Sequence, residues 1–438
     1  MAGLRVIITA MLMTPSFFNS RFGVVFILFL SVSLFSSCKP SEEKTYKQYA
    51  DFFEKVYQTM EENYYQPIDH QAYEHFLQQF QEKIYAQLKQ EGKSVDYVRW
   101  RSAAILVENL RSAEDIFSAF YPPAPAKQYE KTALGKKVDL GIEGQLIPSG
   151  FVTTQVEPRS DAYEEGLRIS DLIVQVNDQE IASLDEDKIK DLLNPLIDTS
   201  VRLTYVDAKQ KVKHEINVVS KEYFKQTVFM KPVPVPGIYC LEVQRFNKNT
   251  AEDILRFLVY IRGHDALKGL ILDLRNNPGG PPLAARELSS FFLPGGEDLA
   301  YFQKRGQPKA MLDVPVIPQE YKFEGPMVIL VNKDSGSASE LFSGVMQRRH
   351  RAVLMGTNTA GQVMLKSMFN LDDGSMVLLL TARGQHPDGS TFSFRGVQPD
   401  RYVDENEQDE ILKYAAGYLW YVYEHGCDKD PDHCPGIQ

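Results

Sequence analysis

The sequence predicts an α+β protein in three parts: a helical lead-in, a small β-rich segment and a layered α/β core. Three observations carry this. Tyr46, Tyr49, Phe52, Phe53, Val56, Tyr57 and Met60 recur at helical spacing over Thr45–Asn63. From about Gly135 to Val219 the pattern changes to short alternating strands separated by turns. Further on, Leu270–Leu274 and Met327–Val331 are apolar runs of strand length, each followed by a glycine-bearing turn and then a helical pattern. The chain has 438 residues, enough for two or three domains, and a formal net charge of −10 with no long basic run. That balance argues against nucleic acid as a partner. No Cys/His cluster has zinc spacing, and there is no P-loop or dinucleotide fingerprint, so no metal or nucleotide cofactor is expected.

The N-terminus reads as a targeting segment over 1–37. Arg21 precedes an almost wholly apolar run, Phe22–Phe35, which is short for a bilayer span and suits a secretory signal. It ends in Leu34-Phe35-Ser36-Ser37-Cys38. Small residues directly before a cysteine resemble a bacterial lipoprotein signal, which implies a lipid on Cys38 and a place in the bacterial cell envelope, facing the periplasm or the outside. An uncleaved anchor and ordinary cleavage without a lipid are the alternatives. The n-region is long, so Met11 or Met13 are alternative starts. Cys427 and Cys434 flank a turn-like segment in the 426–438 tail, read either as a local disulfide or as two free thiols.

The lead-in occupies 41–130. A second helix is expected over about Gln71–Lys89 and a third over about Val95–Leu110, with aromatic stripes that serve packing. Asp115–Pro125 reads as a Pro-rich turn at a domain boundary.

Over 135–222, Leu172, Val174 and Val176 alternate as one strand face, Asn177-Asp178 makes a turn, and Asp185–Leu193 is a short helix. Gly166-Leu167 and Asp171–Ile181 resemble the matching motif of a PDZ domain. The resemblance implies binding of an extended peptide at a sheet edge, with a loop of N–H groups taking the terminal carboxylate. Leu140, Gly141, Ile142 and Glu143, ahead of a strand, are assigned to that loop. A small β domain that binds nothing is the alternative.

The core spans 236–425, after a linker marked by Pro232, Pro234 and Pro236. Leu270–Leu274 runs into Arg275-Asn276-Asn277-Pro278-Gly279-Gly280, where glycines expose backbone N–H groups. Met327–Val331 runs into Asp334-Ser335-Gly336-Ser337-Ala338-Ser339-Glu340 before a helix. Ser337 there is either an N-cap or a nucleophile at a turn where N–H groups and a helix dipole converge. Together the two motifs resemble the tail-specific, or C-terminal processing, serine protease family, over roughly Asp115–Val403. Thr381-Ala382-Arg383-Gly384 and Gly396-Val397-Gln398-Pro399-Asp400 fit the end of its core. The resemblance implies a crotonase-like core of layered sheets and helices. It also implies a nucleophile at Ser337, and an oxyanion held by the N–H groups of Ala338 and of Gly279 or Gly280.

Two positions depart from the family. Its dyad lysine should lie 25 residues after Ser337, where Gln362 stands, and Arg348 stands where an Asp is expected. A Gln amide does not titrate; it can orient Ser337 or donate to an oxyanion but cannot take a proton. Lys366, His386, His264 and Glu340 are the substitute bases to consider. Thr359-Ala360-Gly361 resembles a branch that uses His and a carboxylate instead, without a His in a matching position. The sequence therefore leaves three readings. The first is a membrane-anchored serine endopeptidase acting on unfolded or C-terminally tailed proteins through its PDZ domain. The second is a pseudoprotease lipoprotein that binds peptide or a partner, and the third is a small-ligand carrier.

Overall fold

The computed structural model describes residues 40–133, 136–392, 395–404 and 408–426. The targeting segment, Cys38 and the Cys427–Cys434 segment lie outside the described residues. The lead-in forms α1 (Pro40–Asn63), α2 (His70–Gln79), α3 (Tyr85–Gln90) and α4 (Val95–Leu110). Their apolar faces meet in one aromatic cluster: Phe53 and Phe80 rings lie 4.8 Å apart, edge to face. Asp69 accepts the Gln71 N–H at the start of α2, and Ser94 accepts the Tyr97 N–H at the start of α4. The single helix expected over 71–89 is broken by a π turn at Phe80–Ile84, where the wider turn accommodates an extra residue and Phe80 stays buried. Helical periodicity alone does not show such an insertion.

Next come β1 (Ala119–Tyr121) and α5 (Pro123–Ala133). Part of the expected Pro-rich turn is thus the start of a helix, because a proline in the first turn removes an N–H that has no helical partner anyway. After β2 (Lys136–Asp139) the chain builds β3 (Ile142–Ile147), β4 (Gly150–Val156), α6 (Asp161–Glu164), β5 (Leu172–Val176), β6 (Gln179–Glu180), α7 (Glu186–Leu193), β7 (Ser200–Val206) and β8 (Lys213–Val219). The sheet order is β3-β4-β5-β7-β8, with β6 on β5, all antiparallel. Its core of Leu140, Ile173, Val176, Ile181 and Leu203 is its own. β9 (Lys221–Phe224) pairs with β2 and leads out. Arg159 joins this unit to the rest, donating to the buried Asp253 carboxylate at 2.6 Å.

The remaining elements are β10 (Val228–Lys231), β11 (Ile238–Val243), α8 (Thr250–His264), β12 (Gly269–Asp273), α9 (Pro282–Ser289), β13 (Asp298–Lys304), β14 (Ala310–Asp313), β15 (Met327–Val331), α10 (Ala338–Arg348), β16 (Val353–Gly356), β17 (Met364–Asn370), β18 (Met376–Gln385), β19 (Arg401–Tyr402) and α11 (Gln408–His425). β10-β11-β12-β15-β16-β19 is a six-stranded sheet, parallel from β11 onward. Leu270, Leu272 and Ile329 face α8, α9 and α10, while Ile271, Val328 and Leu330 face α11. Burial on both faces is why β12 and β15 read as unbroken apolar runs rather than alternating ones. The second sheet, β1-β18-β13-β14 with β17 also on β18, lies between core and lead-in. Val377 and Leu379 belong to the lead-in's cluster, whereas Phe302 and Ala382 belong to the core's. Among the described residues no helix is long and apolar enough to cross a membrane, and no group of His, Cys, Asp and Glu is placed to hold a metal.

His386, just past β18, packs its ring 3.8 Å from that of Phe392 and is 7% exposed. Burial pushes its pKa down to about 4, and the Arg348 guanidinium adds to this. An unfolded chain protonates histidine near 6.5. Between these values the unfolded state binds the extra proton, so the contribution of His386 to stability is complete above about pH 6.5 and falls as pH drops toward 4. His386→Gln is expected to flatten the pH dependence of the melting temperature in that window and leave it unchanged in shape above pH 7. Thermal unfolding of both proteins across pH 4–8 checks this.

Candidate active site

Two loops leave neighbouring parallel strands at their C-terminal ends, after β12 and after β15, and interlock. Asn332 Oδ1 accepts the Asn276 N–H at 2.9 Å, and its Nδ2 donates to Asn276 Oδ1 at 2.8 Å. Gly336 N–H and Ser339 Oγ–H both donate to Asn277 O, each at 2.9 Å. Ser335 Oγ donates to Leu274 O at 2.8 Å. At the root of the first loop, Arg275 holds the buried Asp273 carboxylate with two hydrogen bonds of 2.8 and 2.7 Å. No role for this pair, or for the paired asparagines, is expressed in the motif spacing, although Asn ahead of Pro-Gly signals an Asx-type turn.

The loops meet at Ser337, the residue before α10. Its φ of 53° and ψ of −112° are costly for a residue with a Cβ, by about 1–3 kcal/mol. Gly279, at φ 94°, lies against it: a Cβ on Gly279 would stand 2.8 Å from both Ser337 Cβ and Ala338 N, and 2.4 Å from Gly336 O. A Cβ on Gly280 would stand 2.0 Å from Phe246 O. Both glycines are therefore fixed by close approach. Gly279 N–H donates to Asn277 Oδ1 at 2.8 Å. The Gly280 and Ala338 N–H groups are recorded with no protein acceptor among the described residues.

Glu340 ties a third segment to this turn. Its fully buried carboxylate accepts four hydrogen bonds: Ser337 N–H at 2.8 Å and Gln362 N–H at 2.7 Å on Oε2, Thr359 Oγ1 at 2.6 Å and Gly361 N–H at 2.5 Å on Oε1. Burial raises its pKa, and the four donors oppose that. With two donors on each oxygen, it has no place left for a hydroxyl proton from Ser337, so its geometry is that of a tie rather than a base. Gln362 is brought to the turn: its Oε1 comes within 3.7 Å of where a Cβ on Gly336 would be.

The other base candidates divide. Lys366, on β17, lines the same cavity as Gln362, of about 290 Å³. His386 lines a different one, against Gly344 and Arg348 on the far half of α10. His264 ends α8 on the surface, with its Nδ1 2.8 Å from Tyr260 O. Arg348 pairs with Asp388. In the β-rich unit, the expected carboxylate loop is shorter than the sequence suggests. Ile142 and Glu143 belong to β3 and Leu140 is fully buried, which leaves Gly141, at φ 74°, as the turn. Gly141 N–H donates to Asp139 at 2.7 Å, and Glu143 pairs with Lys137 and Lys225. Glycine spacing alone could not reveal that an internal carboxylate takes this N–H.

Glu340→Gln is expected to leave two of the four donors facing an NH2 group. The cost is on the order of 1–3 kcal/mol for each orphaned donor, read as a lower denaturation midpoint in urea.

Comparison with known proteins fits this geometry. A model of peptidase family S41 matches residues 237–403. A probable CtpA-like serine protease of Staphylococcus epidermidis is 27% identical over 316 residues, which cover 70% of this chain and 62% of that protein, so the chain spans less than two thirds of that relative's length. A carboxyl-terminal-processing protease of Synechocystis sp. is 25% identical over 311 residues, covering 68% of this chain and 70% of that one. Among solved structures, the tricorn protease is 14% identical with a TM-score of 0.50, over 89% of this chain and 36% of that one, a likeness of fold. The matched segment begins just before β11, ends just after β19 and includes both interlocked loops, so the likeness to peptidase family S41 covers the candidate site.

Proposed function

We propose that the chain is a serine endopeptidase of the C-terminal processing type, cleaving unfolded or C-terminally tailed proteins with Ser337. The observation that carries this is the strained Ser337 backbone, pressed against Gly279, with the N–H groups of Ala338 and Gly280 left over beside it. In this reading Ser337 Oγ adds to the scissile carbonyl carbon, and the carbonyl oxygen takes its charge against those two N–H groups and the first turn of α10. The C–N bond then breaks, the amine leaves with the hydroxyl proton, and water hydrolyses the ester. Gly279 contributes by its lack of a Cβ, and Gln362 by orienting Ser337. Strand β3, at the end of its sheet, is read as the PDZ-type edge to which an extended peptide adds, with Gly141 at its head. The apolar run before Cys38 supports export and a lipid anchor in the cell envelope.

A Gln at position 362 removes a titratable amine from the place where such an enzyme keeps its base, so turnover is expected to be slow. Ser337→Ala is expected to abolish release of fragments from a reduced, unfolded protein, measured by mass spectrometry; fragment release that persists in this variant overturns the reading. Gln362→Lys is expected to raise the rate by roughly 10²-fold or more, because a desolvated amine supplies general-base help. Progress curves for the two proteins at pH 7–9 check this.

A further inference from the structure

We propose that the cavity beside Gln362 is a subsite for a carboxylate of the bound polypeptide, received by Lys366. The proposal rests on the peptidase reading and adds a substrate class to it.

The cavity, of about 290 Å³, adjoins the nucleophile turn through the segment 360–362. Ala360 N–H donates to Ser335 O at 3.0 Å, and Gln362 N–H shares Glu340 Oε2 with Ser337 N–H. A ligand group in the cavity is therefore one thin wall away from Ser337. The walls are largely apolar: Tyr65, Ile116, Phe117, Met364 and Leu380. Ile116 is 68% exposed, an open apolar surface at the rim.

Lys366 is the cation in this setting. Its Nζ lies 4.0 Å from the centroid of the Phe117 ring, and no carboxylate is recorded within ion-pair distance of it among the described residues. By area the side chain is open toward the cavity, yet protein crowds its other sides, and that desolvation lowers its pKa. Asp115 and Glu340 act on it favourably and Arg245 unfavourably. Neither carboxylate is available as a partner. Asp115 is taken by Tyr64 Oη at 2.8 Å and by the N–H groups of Phe117 and Ser118, each at 2.9 Å. Glu340 is taken by its four donors. Glu114 also lines the cavity, exposed to solvent.

Arg245 is not among the residues lining the cavity, but its charge is near enough to act on Lys366. It precedes Phe246, whose N–H donates to Gly279 O at 3.0 Å, and its Nε is buried with no hydrogen-bond partner. Lys366 thus lines the cavity without a carboxylate partner among the described residues and under the added positive field of Arg245, and a ligand carboxylate there restores its charge. A polypeptide offers that group from two sources, its terminal α-carboxylate or an Asp or Glu side chain.

The test begins with overlapping peptides that tile an unfolded protein, screened for binding to the full Ser337→Ala chain; binding of none overturns the subsite. The peptide that binds is then made as C-terminal acid and amide, and with Glu or Gln at each position. Binding of each to the Ser337→Ala chain is followed by fluorescence anisotropy, and kcat/KM is measured with the unmodified chain. One carboxylate-bearing peptide is expected to bind about tenfold more tightly than its neutral twin. Lys366→Met should remove that difference and Lys366→Arg should keep it. The acid–amide pairs and the Glu–Gln pairs identify the source of the carboxylate. Equal binding of all twins, or an equal loss on charged and neutral peptides in Lys366→Met, overturns the subsite. Because binding is read on a chain without the nucleophile, absence of turnover would refute the peptidase reading without touching this result.

Discussion

Everything at the site depends on one buried carboxylate. Glu340 gathers donors from the Ser337 turn and from the 359–362 segment, which the Ala360 N–H to Ser335 O bond also joins. A buried charge is tolerated only when its lone pairs are filled, and here four donors fill them. This tie acts through the backbone at 362, not through the side chain. The bond that holds position 362 is a backbone N–H, which any residue except proline supplies.

A second constraint comes from the parallel sheet. β12 and β15 are neighbours in register, so their C-terminal ends open at the same height, and the paired asparagines 276 and 332 lock the loops that follow. Such a crevice at the carboxyl ends of parallel strands is where open α/β sheets place their ligands. The strain at Ser337 is sustained by this frame. Gly336 and Ser339 are bonded to Asn277, and Gly279 is wedged against Ser337, so relaxing φ would break contacts on both loops.

What could be read from the sequence follows from these forces. β12 and β15 were legible because burial on both faces leaves continuous apolar runs, and the start of α10 because its stripe begins at once after the turn. The α+β class and the order of the parts follow from the same patterns. α11 follows from the same kind of pattern, since Ile411, Ala415, Leu419 and Val422 repeat at helical spacing and cover a face of the sheet. The π turn at 80–84 was hidden because it changes the period within one turn. The tie through Glu340 was out of reach for another reason: its partners lie 19 to 22 residues away, and no local pattern says that a carboxylate in a first helical turn will be buried. For the same reason the sequence offered Gly279 and Gly280 as equals. Only the Asn277 bond distinguishes the one whose N–H is spent.

The lead-in also belongs to the site rather than merely preceding it. Tyr65 N–H bonds to Leu380 O at 3.0 Å and Ser118 Oγ accepts the Leu380 N–H at 3.0 Å, so the helices and the 112–118 segment are fastened to β18 by backbone as well as by the shared aromatic cluster. Phe117 then lies against Lys366, and Ile116 and Tyr65 close the cavity beside Gln362. The matched family segment begins only at residue 237, yet one wall of this cavity is built from residues 65–117. The shape of this cavity is therefore set partly outside the matched segment, by a part of the chain whose aromatic stripes read as simple packing.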